Sequence, residues 1–286
     1  MRTGTKLGAF ALGVAAIFVA ALFVGRAAGP IDVGGASGEE HAAMGTEAAD
    51  VRGLAVADDG LQLELDNEVV PADEASPFEF RIVDGSGALF NDFEELHERK
   101  LHLIVVSRNL IDYWHLHPTM DSDGRWSIEL PAMAPGSYRV FADFQPAGGE
   151  PLTLGSDIAV PGSVEQSVMP PATQTHDVGR YQVTMTGHAL VGESALSFRV
   201  AEDGAAVRTE PYLGAAGHLV AVRAGDLAFL HVHPRPSDAG DTNITFVAEF
   251  PSAGTYRLFV DFAHDGAVHT AAFTVEIPSG ADPGGH

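Results

Sequence analysis

His115-Leu116-His117-Pro118 and His231-Val232-His233-Pro234 are the segments of this chain best suited to chemistry. On an extended strand, residues two apart point to the same face. Each pair therefore presents two imidazoles side by side, with Trp114 and Leu116, or Val232, directed to the other face. Two imidazoles at this spacing can supply two ligands to one metal ion. Imidazole suits Cu(II), Zn(II) or Ni(II) and disfavours Ca or Mg. A neighbouring strand must add the rest. His102 and His218 each lie 13 residues before the first histidine of a pair, a separation that a hairpin closes. His97 precedes His102 closely, and His269, with His264 near it, stands by the last apolar run. The metal-ligand candidates are thus His97, His102, His115 and His117 in one half, and His218, His231, His233 and His269 in the other. The competing reading is structural: buried imidazoles satisfy backbone carbonyls, and His-x-His-Pro ends a strand well.

The elements that must position these residues occur twice. Phe80-Arg81 matches Phe198-Arg199, and His102-Leu103 with Val106 matches His218-Leu219 with Val222. The two His-x-His-Pro motifs align without a gap, and Gly136 to Phe144 matches Gly254 to Phe262, carrying Asp143 onto Asp261. A period of about 116–120 residues is the size of a small domain, not of a solenoid unit. Each half is punctuated by turn signals such as Asp84-Gly85, Asp123-Gly124, Asp203-Gly204 and Asp265-Gly266. Trp126 to Leu130 and Thr242 to Phe250 read as strands, and beyond the amino terminus no long segment keeps a helical apolar period. The fold class expected is all-β: two tandem immunoglobulin-like β-sandwich domains. Tyr138 and Tyr256, each just after a turn, resemble the buried tyrosine corner of such folds. Asp143 and Asp261 fit a solvent-facing, a capping or a liganding role.

The charge is divided unevenly. The chain has 286 residues, 39 acids, 16 bases and no cysteine, for a formal charge of −23. Arg2, Lys6 and Arg26 are the only charges in the first 26 residues, which leaves a strongly acidic body. Such a body repels phosphate backbones, so nucleic acid is excluded as a partner. Without cysteine there is no disulfide framework, thiolate site or cysteine nucleophile, so any metal site must be built on imidazole. Leu7 to Val24 is an uncharged apolar run of 18 residues, about long enough to cross a bilayer core of ~30 Å. It reads as an uncleaved signal anchor in preference to a cleaved signal peptide, with the amino terminus cytoplasmic and the body outside the cell membrane. The organisation expected is an anchor helix over 1–28, a flexible tether over 29–50, a first β domain over 51–162, a linker over 163–175, a second β domain over 176–278 and a tail over 279–286.

Enzyme motifs are scarce. Gly225 and His231 open a cupin-like pattern, but the first half lacks that glycine and neither half has the later glycine-rich histidine motif. No G-x-S-x-G or H-E-x-x-H occurs. A non-enzyme is expected.

Leu101-His102-Leu103-Ile104-Val105-Val106, His115-Leu116-His117-Pro118 and Val268-His269-Thr270-Ala271-Ala272-Phe273 resemble a family of uncharacterised, membrane-anchored bacterial secreted proteins. The resemblance spans the anchor and both domains. It implies a His/Met-rich tether, of which His41 and Met44 are a thin version, and an association with heavy-metal handling, copper above all. In outline the domains are also similar to small copper-resistance β-sandwich proteins of the periplasm, a likeness of fold and histidine content only. The function expected is extracytoplasmic metal binding, with copper or zinc as the ion, in sequestration or homeostasis. The alternative is a structural or protein-interaction module of the cell envelope, with an envelope protein as partner and no metal.

Overall fold

The computed structural model describes residues 51–230, 232–235 and 242–279. The anchor and the tether lie outside the described residues. Among the described residues no helix is long and apolar enough to cross a membrane.

The described chain is all-β, and every strand pairing within its sheets is antiparallel. In the first repeat, one sheet runs in the order 57–58, 61–65, 76–84, 125–130, 119–120. The other runs 152–160, 136–146, 101–107, 113–116. The second repeat copies this arrangement. Its first sheet is ordered 175–178, 181–186, 192–202, 243–250, 232–234, and its second 229–230, 218–223, 254–264, 267–277. Each pair of sheets encloses its own core. Phe80, Leu103, Trp126, Val140 and Phe144 fill the first, and Phe198, Phe246, Leu258, Val260 and Phe273 the second. Tyr138 donates to the Ala134 carbonyl at 2.8 Å and Tyr256 to the Ser252 carbonyl at 2.9 Å, the tyrosine corners expected from their turns.

A third core joins the repeats, and strand periodicity explains how. All seven residues of Leu101–Ser107 are buried. Leu103 and Val105 face the first core, while Ile104 and Val106 face outward into a cluster with Phe141, Val220, Val222, Phe229 and Phe259. A strand covered on both faces carries a continuous apolar run instead of an alternating one. His218–Arg223 behaves likewise: Leu219 and Ala221 turn inward, Val220 and Val222 outward. The outer faces of the two central sheets thus pack on each other. The contact is close to two-fold. Tyr113 stacks on Phe259 at 4.1 Å between ring centroids, and Phe229 meets Phe141 at 5.3 Å. Tyr113 and Phe229 occupy the same place in their repeats, as do Phe141 and Phe259. Exchanging the repeats therefore maps one contact onto the other, the logic of an isologous dimer interface. His102 and His218 lie on these same outward faces.

Candidate metal centre

Strand register assembles the centre. Leu103 pairs with Leu116 and Ile104 with His115 across the hairpin. His102, His115 and His117 therefore share one face, while Trp114 and Leu116 pack against the first core, as the alternation predicts. The ring centroids of His102 lie 5.1 Å from both His115 and His117, and those of the latter two 4.8 Å apart. One nitrogen from each of the three falls within 4.8 Å of the others. His97 occupies a left-handed position, φ 51°, in the turn before the strand, and its ring lies 5.0 Å from His218.

His218 corrects the expectation of one ligand set per repeat. It comes from the second repeat, yet its ring lies 6.3 Å from His102 and 6.0 Å from His115. The cause is the packing of the two outer sheet faces, which places His218 and the first repeat's histidines on one shared surface. His269 is not brought to this cluster. It pairs with Phe262 and packs 4.8 Å from the Tyr181 ring, beside the second core. Alternation turns its neighbour Thr270 toward the shared face instead. His264 also leaves the cluster, with Nδ1 2.8 Å from the Tyr181 hydroxyl. His231 and the His233 side chain lie outside the described residues.

Asp261 is the residue the spacing leaves undecided, and it is almost fully buried, with 1% of its surface exposed. It reaches across from the second repeat. Its Oδ2 lies 2.9 Å from His115 Nδ1 and accepts from the Tyr113 hydroxyl at 3.0 Å, while its Oδ1 accepts from Thr270 Oγ1 at 2.6 Å. The sign of its importance in the sequence is its recurrence with Asp143, which accepts from Thr153 Oγ1 at 2.6 Å in the same manner.

These partners fix the tautomers. A carbonyl oxygen only accepts, so the 2.9 Å contact of His102 Nε2 with the Leu96 carbonyl places the proton on Nε2. The Asp261 carboxylate likewise places the proton of His115 on Nδ1. His102 Nδ1 and His115 Nε2 are then both lone pairs, and they face each other at 2.9 Å. His117 Nε2 is buried without a hydrogen-bond partner. His218 Nε2 lies 3.2 and 3.3 Å from the Tyr212 and Leu213 carbonyls, which leaves its Nδ1 a lone pair as well. A cavity of about 40 Å³ beside the triad has room for a single ion or water; His97, His102, His115, Asp143 and His218 line it together with apolar residues such as Ile104, Val220 and Phe229, and His117 stands outside this lining.

A proton is a poor occupant. Burial, reinforced by the neighbouring His115, lowers the His102 pKa to about 3. The same two causes lower His117 and His218 to about 4. Unfolded, each would titrate near ~6.5. Between those limits the unfolded chain binds protons that the folded chain refuses, so stability rises with pH. The metal-free chain should hold its full stability above about pH 6.5 and lose it progressively as the pH falls toward 4. The urea midpoint should accordingly be lower at pH 5 than at pH 7. A midpoint unchanged or higher at pH 5 would mean that these imidazoles are solvated.

The profile of the domain of unknown function DUF8832 matches residues 55–162 and again 174–279. The chain belongs to that family. No curated protein matches it. Among solved structures, the DUF8832 repeats resemble FdeC, an Escherichia coli adhesin, at 15% identity and a TM-score of 0.24, covering 79% of this chain and 66% of that one. Domains 5–6 of the S-layer protein SbsC align at 12% identity and a TM-score of 0.25, covering 77% and 98%. Invasin, a bacterial integrin-binding protein, aligns at 14% and 0.21, covering 77% and 39%. The chain thus spans about two thirds of the adhesin chain and less of invasin. At TM-scores of 0.21 to 0.25 these likenesses carry no argument about this chain.

Proposed function

We propose that this DUF8832 chain is a non-enzymatic, extracytoplasmic metal-binding protein, tethered to the cell membrane by Leu7–Val24. Its ion, copper or zinc, would be held by His102, His115 and His117, with His218 and His97 alongside. One observation carries this reading: two buried imidazole lone pairs, each with its tautomer set from outside, face each other at 2.9 Å. A shared metal ion relieves that contact, and burial disfavours a proton on His102. The donor set fits a borderline transition metal, and the carboxylate behind His115 is the arrangement that orients metal-bound histidines. Among divalent ions copper has the highest affinity for a nitrogen donor set of this kind. Sequestration or homeostasis of copper is the role that the family resemblance adds.

The test is titration of Cu(II) and Zn(II) into the full chain at pH 7.5, with EPR of the copper form. Tight binding of copper with imidazole-nitrogen coupling is expected, held from pH 7.5 down toward about pH 4 and lost below that, where His117 and His218 take up protons. Absence of nitrogen coupling would refute the site.

A second reading has its own observation. His115, Tyr113 and Asp261 bond across the repeats with no need of an ion. They would then be a structural bolt in an envelope scaffold or interaction module with a protein partner. The adhesin and S-layer names among the structural neighbours sit on this side, although likeness at such TM-scores carries no argument. A chain that binds no metal and yet unfolds more easily when Asp261 is changed would favour this reading.

A further inference from the structure

The two repeats treat one buried arginine differently. Arg139 and Arg257 hold equivalent places, each over the phenylalanine two residues on, with the guanidinium carbon 5.7 Å from the ring centre. Arg139 is fully engaged. It donates to the Gly53 carbonyl from Nε at 3.0 Å and from Nη2 at 2.6 Å, to the Leu54 carbonyl at 2.8 Å, and to Asp157 Oδ1 at 3.1 Å. Arg257 is more deeply buried, 4% exposed against 8%. Yet its hydrogen bond among the described residues is one, from Nη1 to Thr274 Oγ1 at 2.9 Å. Its Nε is buried and has no partner.

Two substitutions between the repeats account for the difference. Asp157 stands opposite Arg139 on the neighbouring strand, whereas Thr274 stands opposite Arg257. The carboxylate is replaced by a hydroxyl, and that hydroxyl gives its proton to the Pro170 carbonyl at 2.7 Å. Gly155, opposite Phe141, lets the incoming chain press in: a Cβ there would lie 2.0 Å from the Gly53 oxygen. Its counterpart opposite Phe259 is Ala272, which carries the Cβ that Gly155 lacks. Arg257 thus lacks both the backbone carbonyls and the counter-charge that Arg139 has. His176, whose Nδ1 is also buried without a partner, has its pKa lowered by burial first and then by the charge of Arg257.

A guanidinium offers five donors, and leaving a buried charge uncompensated is strongly unfavourable. We infer that Arg257, beside Thr274, binds a small inorganic anion in the place that Asp157 fills in the first repeat. Only 4% of Arg257 is exposed, which suits a compact inorganic ion better than a bulky organic phosphate. Chloride is the probe. The site lies apart from the histidines and stands or falls independently of the metal reading.

The experiment is thermal unfolding of the full chain, with chelator present, as chloride replaces gluconate at constant ionic strength. Wild type should gain about 2–4 °C with a saturable chloride dependence. Thr274→Asp, which restores the missing carboxylate, should be more stable than wild type in gluconate and should lose the chloride response. The chloride quadrupolar NMR linewidth should be broadened by wild type and much less by Arg257→Gln. No chloride-specific gain in wild type, as when water alone solvates the guanidinium, overturns the inference. So does a Thr274→Asp chain that keeps the response, or a linewidth unaffected by Arg257→Gln.

Discussion

Asp261→Asn is expected to destabilise the metal-free chain by about 2–4 kcal/mol and to weaken metal binding about 10–100-fold. Asp261 is a buried carboxylate with three donors converging on it, from Tyr113, His115 and Thr270. Asparagine preserves the volume but keeps one acceptor oxygen and adds an NH2 that must face other donors. At least one donor is then stranded in an almost dry interface, and hydrogen bonds to a charged acceptor are stronger than neutral ones, about 1.5–3 kcal/mol each. The metal effect has a separate cause. Without the carboxylate, His115 is free to move its proton to Nε2, which removes the lone pair that faces His102. Tyr113→Phe is the matched control. It removes one donor and leaves the carboxylate, so it should cost about 1.5–3 kcal/mol and leave the His115 tautomer in place. Urea unfolding and copper titration of both variants check this. A wild-type urea midpoint for Asp261→Asn would show that Asp261 does not clamp the repeats.

The parts of this centre that follow short-range rules were legible in the sequence. His115 and His117 share a face because side chains on a strand repeat every two residues. His102 joins them because a hairpin fixes its register. The double β domain was legible from the repeated Gly-x-Tyr-Arg run and its turns. What failed was the allocation of ligands between repeats. His218 is more than 100 residues from His102 in the chain, and only the packing of two sheet faces brings them together. A clue existed in the continuous apolar run of Leu103–Val106, since a strand apolar on both sides must be covered on both sides. His269 was misplaced by a single step of alternation: Thr270 faces Asp261, and His269 faces away. Asp261 was legible only as one half of a recurring pair, because its burial depends on the opposite repeat.

His102→Ala combined with His115→Ala is expected to abolish the centre, with the affinity of its ion falling by more than about 100-fold, beyond the loss typical of an outer-shell partner. Both ligand atoms of the opposed pair disappear, and His117 alone cannot hold an ion against water. The informative comparison is with single changes in the second repeat. His218→Ala should weaken binding about 10-fold, because one donor in four or five is removed. His269→Ala should leave it unchanged, since that ring packs against Tyr181 and Phe262 instead. If His218→Ala and His269→Ala behave alike, the ion is held within the first repeat. If only His218→Ala weakens it, the ion is held by both repeats, and binding must then stabilise their docking by the free energy it gains from the docked form. Copper should in that case raise the unfolding temperature of the wild type, raise it less for His218→Ala, and leave the double variant unaffected. A double variant that still binds one tightly held, imidazole-coordinated copper at this interface would sink the assignment.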